Sequence, residues 1–125
     1  MDITEYLSDI LLATAKDDVV FEEANIEYVE ALRAGTLLKA GAQDGELAPA
    51  AKGDTVVAVL IDRRLVLDEA GRVMRARDFT VGTKYPMAVV KTGVTLNKAK
   101  LVYLDKSAIS EEDVEVLKGL GIVAI

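Results

Sequence analysis

Short apolar runs divided by turn residues make up most of the chain after Gly35. The longest run, Thr-Val-Val-Ala-Val-Leu-Ile at 55–61, carries no charge, which is typical of a strand buried on both faces. Glycine and aspartate separate the runs, and the Tyr85-Pro86 step holds the chain extended before the next one. We therefore predict strands at 36–39, 55–61, 87–90, 94–96, 101–104 and 122–125.

The first 34 residues follow a different pattern. Apolar side chains recur there at helical spacing and Asp2 with Glu5 can form a capping box, so an amphipathic helix is predicted over 2–14. The apolar triplet at 19–21 predicts a short strand, whereas the pattern over 24–34 fits either a short helix or a strand. The apolar stripe of the predicted helix consists of Ile3, Tyr6, Leu7, Ile10 and Leu11.

The sequence from Ser110 onward predicts one more helix. Ser110 is a favourable N-cap, three acids follow it in the first turn, and Gly119 or Gly121 ends the helix. The pattern over residues 63–79 predicts a hairpin or an excursion, that is, a segment that leaves the core. The fold class expected is mostly β with short helices (α+β), with an acidic N-terminal arm over 1–23 and a single β-rich domain over 24–125.

Charge is distributed unevenly along the chain. The 125 residues carry a formal net charge of −6. Residues 1–30 contain nine acids and one base, for a net charge of −8, and residues 31–125 contain 14 bases and 12 acids, for +2. The acidic segment is either a solvated leader or an arm that docks on a basic partner, and it would repel nucleic acid phosphates.

Arginine is clustered in the predicted excursion. Nucleic-acid binding would call for more bases and for aromatic residues between them, and the acids in this stretch dilute its charge. A solvated hairpin and an arginine rim at a protein interface both remain open, because arginine is enriched at such interfaces. The arginines in question are Arg63, Arg64, Arg72, Arg75 and Arg77.

The residue types that are missing exclude much of enzyme chemistry. With no histidine and no cysteine, the chain contains no Ser-His-Asp triad, no thiol nucleophile and no zinc site of the usual kind. The acids at 111–113 are explained by a helix N-terminus, and no acid–base pair can be assembled. We expect no catalytic, cofactor or metal site. No apolar run is long enough to cross a membrane and the first residues are acidic, so the default location expected is cytoplasmic.

The order of elements resembles that of the tailed-phage, lambda-like head decoration proteins. The segments that carry this resemblance are 34–38, 44–50, 53–60, 89–95 and 109–125. The resemblance implies a β-clip-like domain that binds the outside of an expanded phage head as trimers at three-fold sites and clamps neighbouring major capsid subunits. It also implies a virion protein, present in the host cytoplasm during assembly, without catalysis, cofactor, nucleic acid or membrane partner.

The N-terminal segment departs from that family, whose flexible arm is rich in threonine, proline and alanine. We therefore expect residues 2–23 to order on the capsid, with Val19, Val20 and Phe21 adding a strand to an exposed edge of the capsid protein. Three other functions compete with decoration. One is a tail or baseplate protein with a similar domain, and another is a cellular β domain that binds a small molecule. The third is an enzyme that uses aspartate and glutamate alone.

Overall fold

The computed structural model describes residues 10–14, 20–30, 32–65, 67, 72–73 and 76–125. These residues form mainly short strands, with one α-helix near the C-terminus and three single-turn 3-10 helices at Arg63–Leu65, Ala76–Asp78 and Lys98–Lys100. The main elements are β1 (Leu11–Thr14), β2 (Val20–Glu27), β3 (Leu37–Ala40), β4 (Leu47–Pro49), β5 (Ala58–Leu60), β6 (Lys84–Thr92), β7 (Val94–Leu96), α1 (Glu111–Leu120) and β8 (Ile122–Ala124). The described residues are therefore mostly β with one α-helix, which agrees with the mostly β (α+β) class expected from the sequence.

Five strands form an antiparallel sheet that nearly closes on itself. Their order is β2-β6-β5-β3-β4, so β2 and β4 are the two edges. The edges meet at one bridge between Asn25 and Glu46, where the Asn25 amide donates a hydrogen bond of 3.2 Å to the carbonyl of Gly45. Because each neighbouring pair is antiparallel, β2 and β4 run parallel where they meet. We call this incomplete closure the seam.

The inside of the nearly closed sheet is an apolar core. Side chains alternate along the strands, so Ala24 and Ile26 of β2 face inward while Glu23, Asn25 and Glu27 are exposed. Burial of this face is the main stabilising contribution of the sheet. The buried members are Ala24, Ile26, Tyr28, Leu32, Leu38, Ala58, Leu60, Leu65, Phe79, Met87 and Val89.

A second core lies on the opposite face of β5 and β6. It is covered by α1 and by a three-stranded sheet of order β1-β7-β8, in which β7 pairs antiparallel with β1 and parallel with β8. Val59 points into this core, while its neighbours Ala58 and Leu60 point into the first. The apolar run at 55–61 is thus buried on both faces as predicted, although the paired strand is only Ala58–Leu60.

The C-terminal helix begins and ends where the sequence indicates. The Ser110 hydroxyl accepts a hydrogen bond of 3.2 Å from the Asp113 amide, which caps the first turn. Gly121 ends the helix in the left-handed conformation, at φ +91°. The chain then reverses into β8, so the final apolar segment is paired with β7.

Tyr103 ties this helix to the loop before it. Its ring is buried, and its hydroxyl donates a hydrogen bond to the carboxylate of Asp113 and lies 2.9 Å from the Ser110 hydroxyl oxygen. Burial, together with the hydrogen bond to Asp113, raises the pKa of Tyr103 above its ordinary value. The phenol therefore remains a donor to the buried carboxylate at neutral pH.

Replacement of Tyr103 by phenylalanine is expected to lower the free energy of unfolding by about 1–3 kcal/mol, because Asp113 keeps its buried carboxylate and loses this donor. Urea denaturation measures the change. Tyr85→Phe is the control, because the Tyr85 hydroxyl accepts its hydrogen bond from Thr80 at the exposed surface, and a smaller change is expected there. Equal losses in the two variants would contradict the role given to Tyr103.

The helix predicted over 2–14 is wrong at its C-terminal end. Leu11–Thr14 is a strand that pairs with β7, and residues 2–9 lie outside the described residues. The partner strand is some 80 residues away along the chain, so local periodicity carried no sign of it. The boundary expected between an arm at 1–23 and a domain at 24–125 falls within β2.

Two further segments test the sequence predictions: one prediction is wrong, and at the other segment the structure decides between the two alternatives. The strand predicted at 101–104 is wrong, because only Val102 forms bridges, one to Thr36 and one to Ala108. Over 24–34 the strand interpretation holds as far as Glu27, and a turn follows it. Pairing with β6 favours the extended form there, since it buries alternate side chains in the first core.

Candidate interaction surfaces

Asp62 and Arg64 lie just after β5, where the chain enters a 3-10 turn. The Asp62 side chain is buried and accepts hydrogen bonds of 2.8–3.0 Å from the backbone amide and two guanidinium nitrogens of Arg64 and from the Ala88 amide. Arg64 Nη2 also donates to the carbonyl oxygen of Pro86 at 2.8 Å. The pair therefore fastens the chain after β5 to β6.

Hydrogen bonding keeps both groups of this pair ionised. Burial acts to raise the pKa of Asp62, but the hydrogen bonds from Arg64 and from the Ala88 amide outweigh it and hold this pKa below its usual value. The hydrogen bond to Asp62 in turn raises the pKa of Arg64. Both charges are present at neutral pH, so the attraction between them is retained.

Arg64 also lies against a group of aromatic rings. Its guanidinium carbon is 5.0 Å from the centre of the Phe79 ring, within the range of a cation–π contact. Phe79 stacks on Tyr28 and meets Tyr85 edge-on, with centroid separations of 5.0 Å in both cases. Arg64, a candidate interface residue from the sequence, is thus engaged within its own chain.

The other arginines of the cluster are placed differently. Arg63, Arg72 and Arg77 are exposed, and Arg75 lies outside the described residues. Arg63 sits in the 3-10 turn next to Arg64, and Arg77 lies in the second 3-10 turn, at Ala76–Asp78. The exposed members remain candidates for a protein interface, whereas Arg64 has an internal structural role.

The candidate capsid-contact triplet falls at the start of β2. Val20 pairs with Thr92 and Phe21 with Val90 of β6, while Val19 lies outside the described residues. The strand predicted from this triplet is therefore confirmed for Val20 and Phe21, and it continues to Glu27. β2 is an edge strand, so its side away from β6 meets no strand in the described structure before the bridge at Asn25.

The backbone of β2 presents alternate residues to that open side. The Tyr28 amide donates a hydrogen bond to the carbonyl oxygen of Thr83, the residue just before β6. The Asn25 amide points the other way and donates across the seam to the carbonyl oxygen of Gly45. In an antiparallel ladder these directions alternate, so the amide and carbonyl groups of Glu23 and Glu27 also point away from β6. The exposed side chains of β2 are mostly acidic, and Glu22 forms an ion pair of 3.1 Å with Lys91.

A groove opens at the seam, beyond the Asn25–Glu46 bridge. Its volume is about 270 Å³, and the outward side chains of β2 and the edge of β4 form its walls. Lys84 and Glu46, both part of its lining, form an ion pair of 2.8 Å. The lining residues are Asn25, Glu27, Val29, Gly41, Ala42, Glu46, Leu47, Ala48, Pro49 and Lys84.

Exposed apolar side chains concentrate at the C-terminus. Of the six large hydrophobic residues that are exposed among the described residues, four belong to α1 and the segment after it. Ile125 is 69% exposed, although its backbone is hydrogen-bonded to Leu96 and Lys98. The four residues, which we call the C-terminal apolar surface, are Val116, Leu120, Val123 and Ile125.

The described residues contain no group of three or more acids placed to hold a metal ion. Within the same residues, no helix has the length and apolar character needed to span a membrane. Sequence reasoning found neither the groove nor the C-terminal apolar surface. The groove depends on which strands are edges, a property that no local pattern carries. The apolar segment at 122–125 was predicted as a strand and is paired with β7, but its sequence did not indicate that Val123 and Ile125 would stay exposed.

Comparison with known proteins identifies the family. No curated protein and no solved structure matches the chain. Residues 2–124 match the family model described as bacteriophage PhiTE minor capsid decoration protein, which covers nearly the whole sequence. The resemblance to phage head decoration proteins is thereby confirmed at the level of a virion structural family. The chain belongs to the PhiTE family of bacteriophage minor capsid decoration proteins.

Proposed function

We propose that this protein binds the outer surface of an expanded phage head as trimers at three-fold sites and clamps adjacent subunits of the major capsid protein. The observation that carries the proposal is the family match over residues 2–124. The protein acts without catalysis or cofactor and enters the virion from the host cytoplasm. In this proposal the nearly closed sheet and its second core correspond to the β-clip-like domain of decoration proteins.

The C-terminal apolar surface supports association with protein partners. A small domain that leaves Val116, Leu120, Val123 and Ile125 exposed has apolar area to bury against a neighbour. A stable interface needs about 800 Å² from each partner. We assign this surface to contacts between subunits of the trimer or with the capsid, and we assign the exposed Arg63, Arg72 and Arg77 to the polar rim of such an interface.

Co-sedimentation with heads of the phage that encodes the protein tests the proposal. We expect saturable binding to expanded heads and none to unexpanded heads, because the proposed binding sites are those of the expanded head. Light scattering of the free protein then establishes whether the trimer forms before binding. Equal binding to both kinds of head, or binding to neither, would contradict the proposal, and binding to purified tails would favour a tail protein.

The open side of β2 is the second contact that we propose, extending the hypothesis for Val19, Val20 and Phe21. Because β1 and the first half of β2 pair with β7 and β6, deletion of residues 1–23 would remove paired strands. A point substitution is the better test. Proline at position 23 removes an amide that points away from β6 and leaves the β2–β6 hydrogen bonds in place.

Glu23→Pro is therefore expected to weaken binding to expanded heads at least about tenfold, the scale of a lost central contact in an interface. Glu23→Ala, which keeps the amide, is the matched control and is expected to bind within a few-fold of the unaltered protein. Co-sedimentation titrations measure both, and circular dichroism checks the fold. Equal binding by the two variants would show that this edge does not pair with the capsid.

A further inference from the structure

The seam groove has the construction of a site for an extended chain. β2 and β4 run parallel on either side of it and are joined only at the Asn25–Glu46 bridge. Glu27, the last residue of β2, and Leu47, the first residue of β4, both line the groove. The closure of the sheet is thus interrupted at a place where two strand edges lie near each other, and a further strand would complete it.

The edge of β4 directs backbone groups into this groove. The Ala50 amide donates a hydrogen bond to the Leu37 carbonyl, and the Gly41 amide donates one to the Glu46 carbonyl. These two bonds show which residues of β4 direct their backbone groups towards β3 and which direct them away. By that alternation, the amide and carbonyl of Leu47 and the carbonyl of Pro49 point away from β3, towards β2. Pro49 has no amide hydrogen, so this edge offers more acceptors than donors.

The charge and the volume of the groove limit which kind of chain segment could occupy it. The lining carries two carboxylates, Glu46 and the exposed Glu27, against the single ammonium of Lys84. Lys84 forms the ion pair with Glu46 and is also the cross-strand partner of Glu27, whose charge it senses, so one negative charge of the lining is left without a counterpart. The half-buried side chains of Val29 and Leu47 provide an apolar floor. A volume of about 270 Å³ is below the roughly 300–1,000 Å³ typical of small-molecule sites. It suits the stem of a long basic side chain, with its charged end at Glu27.

We propose that the seam groove holds an extended segment of the major capsid protein that places a lysine or arginine side chain beside Glu27. The proposal rests on the proposed function, which supplies the capsid as partner. The acidic character of β2 and the acceptor-rich edge of β4 both favour a positively charged extended segment over an acidic or helical one.

Two substitutions test the groove on expanded heads. Ala42→Trp fills it from an exposed lining position, and Glu27→Lys reverses the charge on its wall. Each is expected to weaken binding about tenfold in co-sedimentation titrations, the scale of a blocked anchor pocket. Ala51→Trp, in an exposed turn outside the groove, and Glu30→Lys, the same charge change three residues further on, are expected to bind within about twofold of the unaltered protein.

The outcomes separate this proposal from the proposed function. If the unaltered protein binds expanded heads and the groove variants bind equally well, the groove proposal is overturned and decoration stands. If the unaltered protein binds no heads, both are overturned. A change in oligomeric state of the free Ala42→Trp and Glu27→Lys variants, seen by light scattering, would show that a second copy occupies the groove. Thermal unfolding of each variant checks the fold, and Glu27→Lys carries the test if Ala42→Trp is destabilised.

Discussion

Alanine at position 35 is expected to destabilise the protein by about 2–4 kcal/mol, from the left-handed backbone and from overpacking together. Gly35 has φ +97°, a conformation that other residues adopt at a cost. A Cβ atom there would also overlap the carbonyl oxygen of Lys100. The backbone cannot easily move away, because Gly35 donates its amide to Leu60 at 2.7 Å and accepts from Val102 at 3.1 Å.

Gly53→Ala separates these two causes. Gly53 has nearly the same φ, +101°, but no described atom lies within 4 Å of a Cβ placed there. Its substitution is expected to cost only about 1 kcal/mol, the cost of the backbone conformation alone. Urea denaturation of both variants provides the comparison. Equal losses at positions 35 and 53 would show that the close approach of Lys100 has no energetic weight.

Replacement of Asp62 by alanine is expected to lower the free energy of unfolding by about 2–4 kcal/mol. The substitution leaves the Ala88 amide without its acceptor and removes the carboxylate that holds the half-buried Arg64. Arg63→Ala is the control, because Arg63 is the exposed neighbour in the same turn, and a change within about 0.5 kcal/mol is expected. Similar losses for the two substitutions would contradict the role of Asp62.

The contribution of Asp62 also depends on pH in a defined direction. Because its pKa is lower in the folded protein than in the unfolded chain, the carboxylate stabilises the fold at pH values above its unfolded pKa of about 4. This contribution is lost as the pH falls through the lower, folded pKa. The difference in stability between the unaltered protein and Asp62→Asn should therefore narrow below about pH 4. A constant difference from pH 7 to pH 2 would contradict this.

The sequence was informative where the signal is local. The charge-free run at 55–61 and the Ser110 cap each depend on neighbouring residues, and the structure places a doubly buried strand and a helix there. Leu11–Thr14 and the groove depend on strands that pair across most of the chain, and no pattern within a short window distinguishes them. A helical stripe that ends in Ile10 and Leu11 is also compatible with a strand once β7 is beside it.

The internal role of Arg64 was missed for a similar reason. Its bond to Asp62 spans two residues and could have been suspected from the sequence. The contacts that bury the pair come from Ala88, Pro86 and Phe79, all at least 15 residues further along the chain. Among the described arginines of the cluster, Arg64 is bonded within the fold while Arg63, Arg72 and Arg77 are exposed, and composition alone gives no means to tell which is which.

The small sheet of β1, β7 and β8 bears on the order in which the parts of the chain fold. β7 is flanked by a strand from residues 11–14 and by one from residues 122–124, so the sheet joins segments that lie more than 100 residues apart in the sequence. Contacts over such separations form slowly, since a long loop must close before they contribute. The second core is therefore expected to form after the five-stranded sheet, whose strands all lie within residues 20–92.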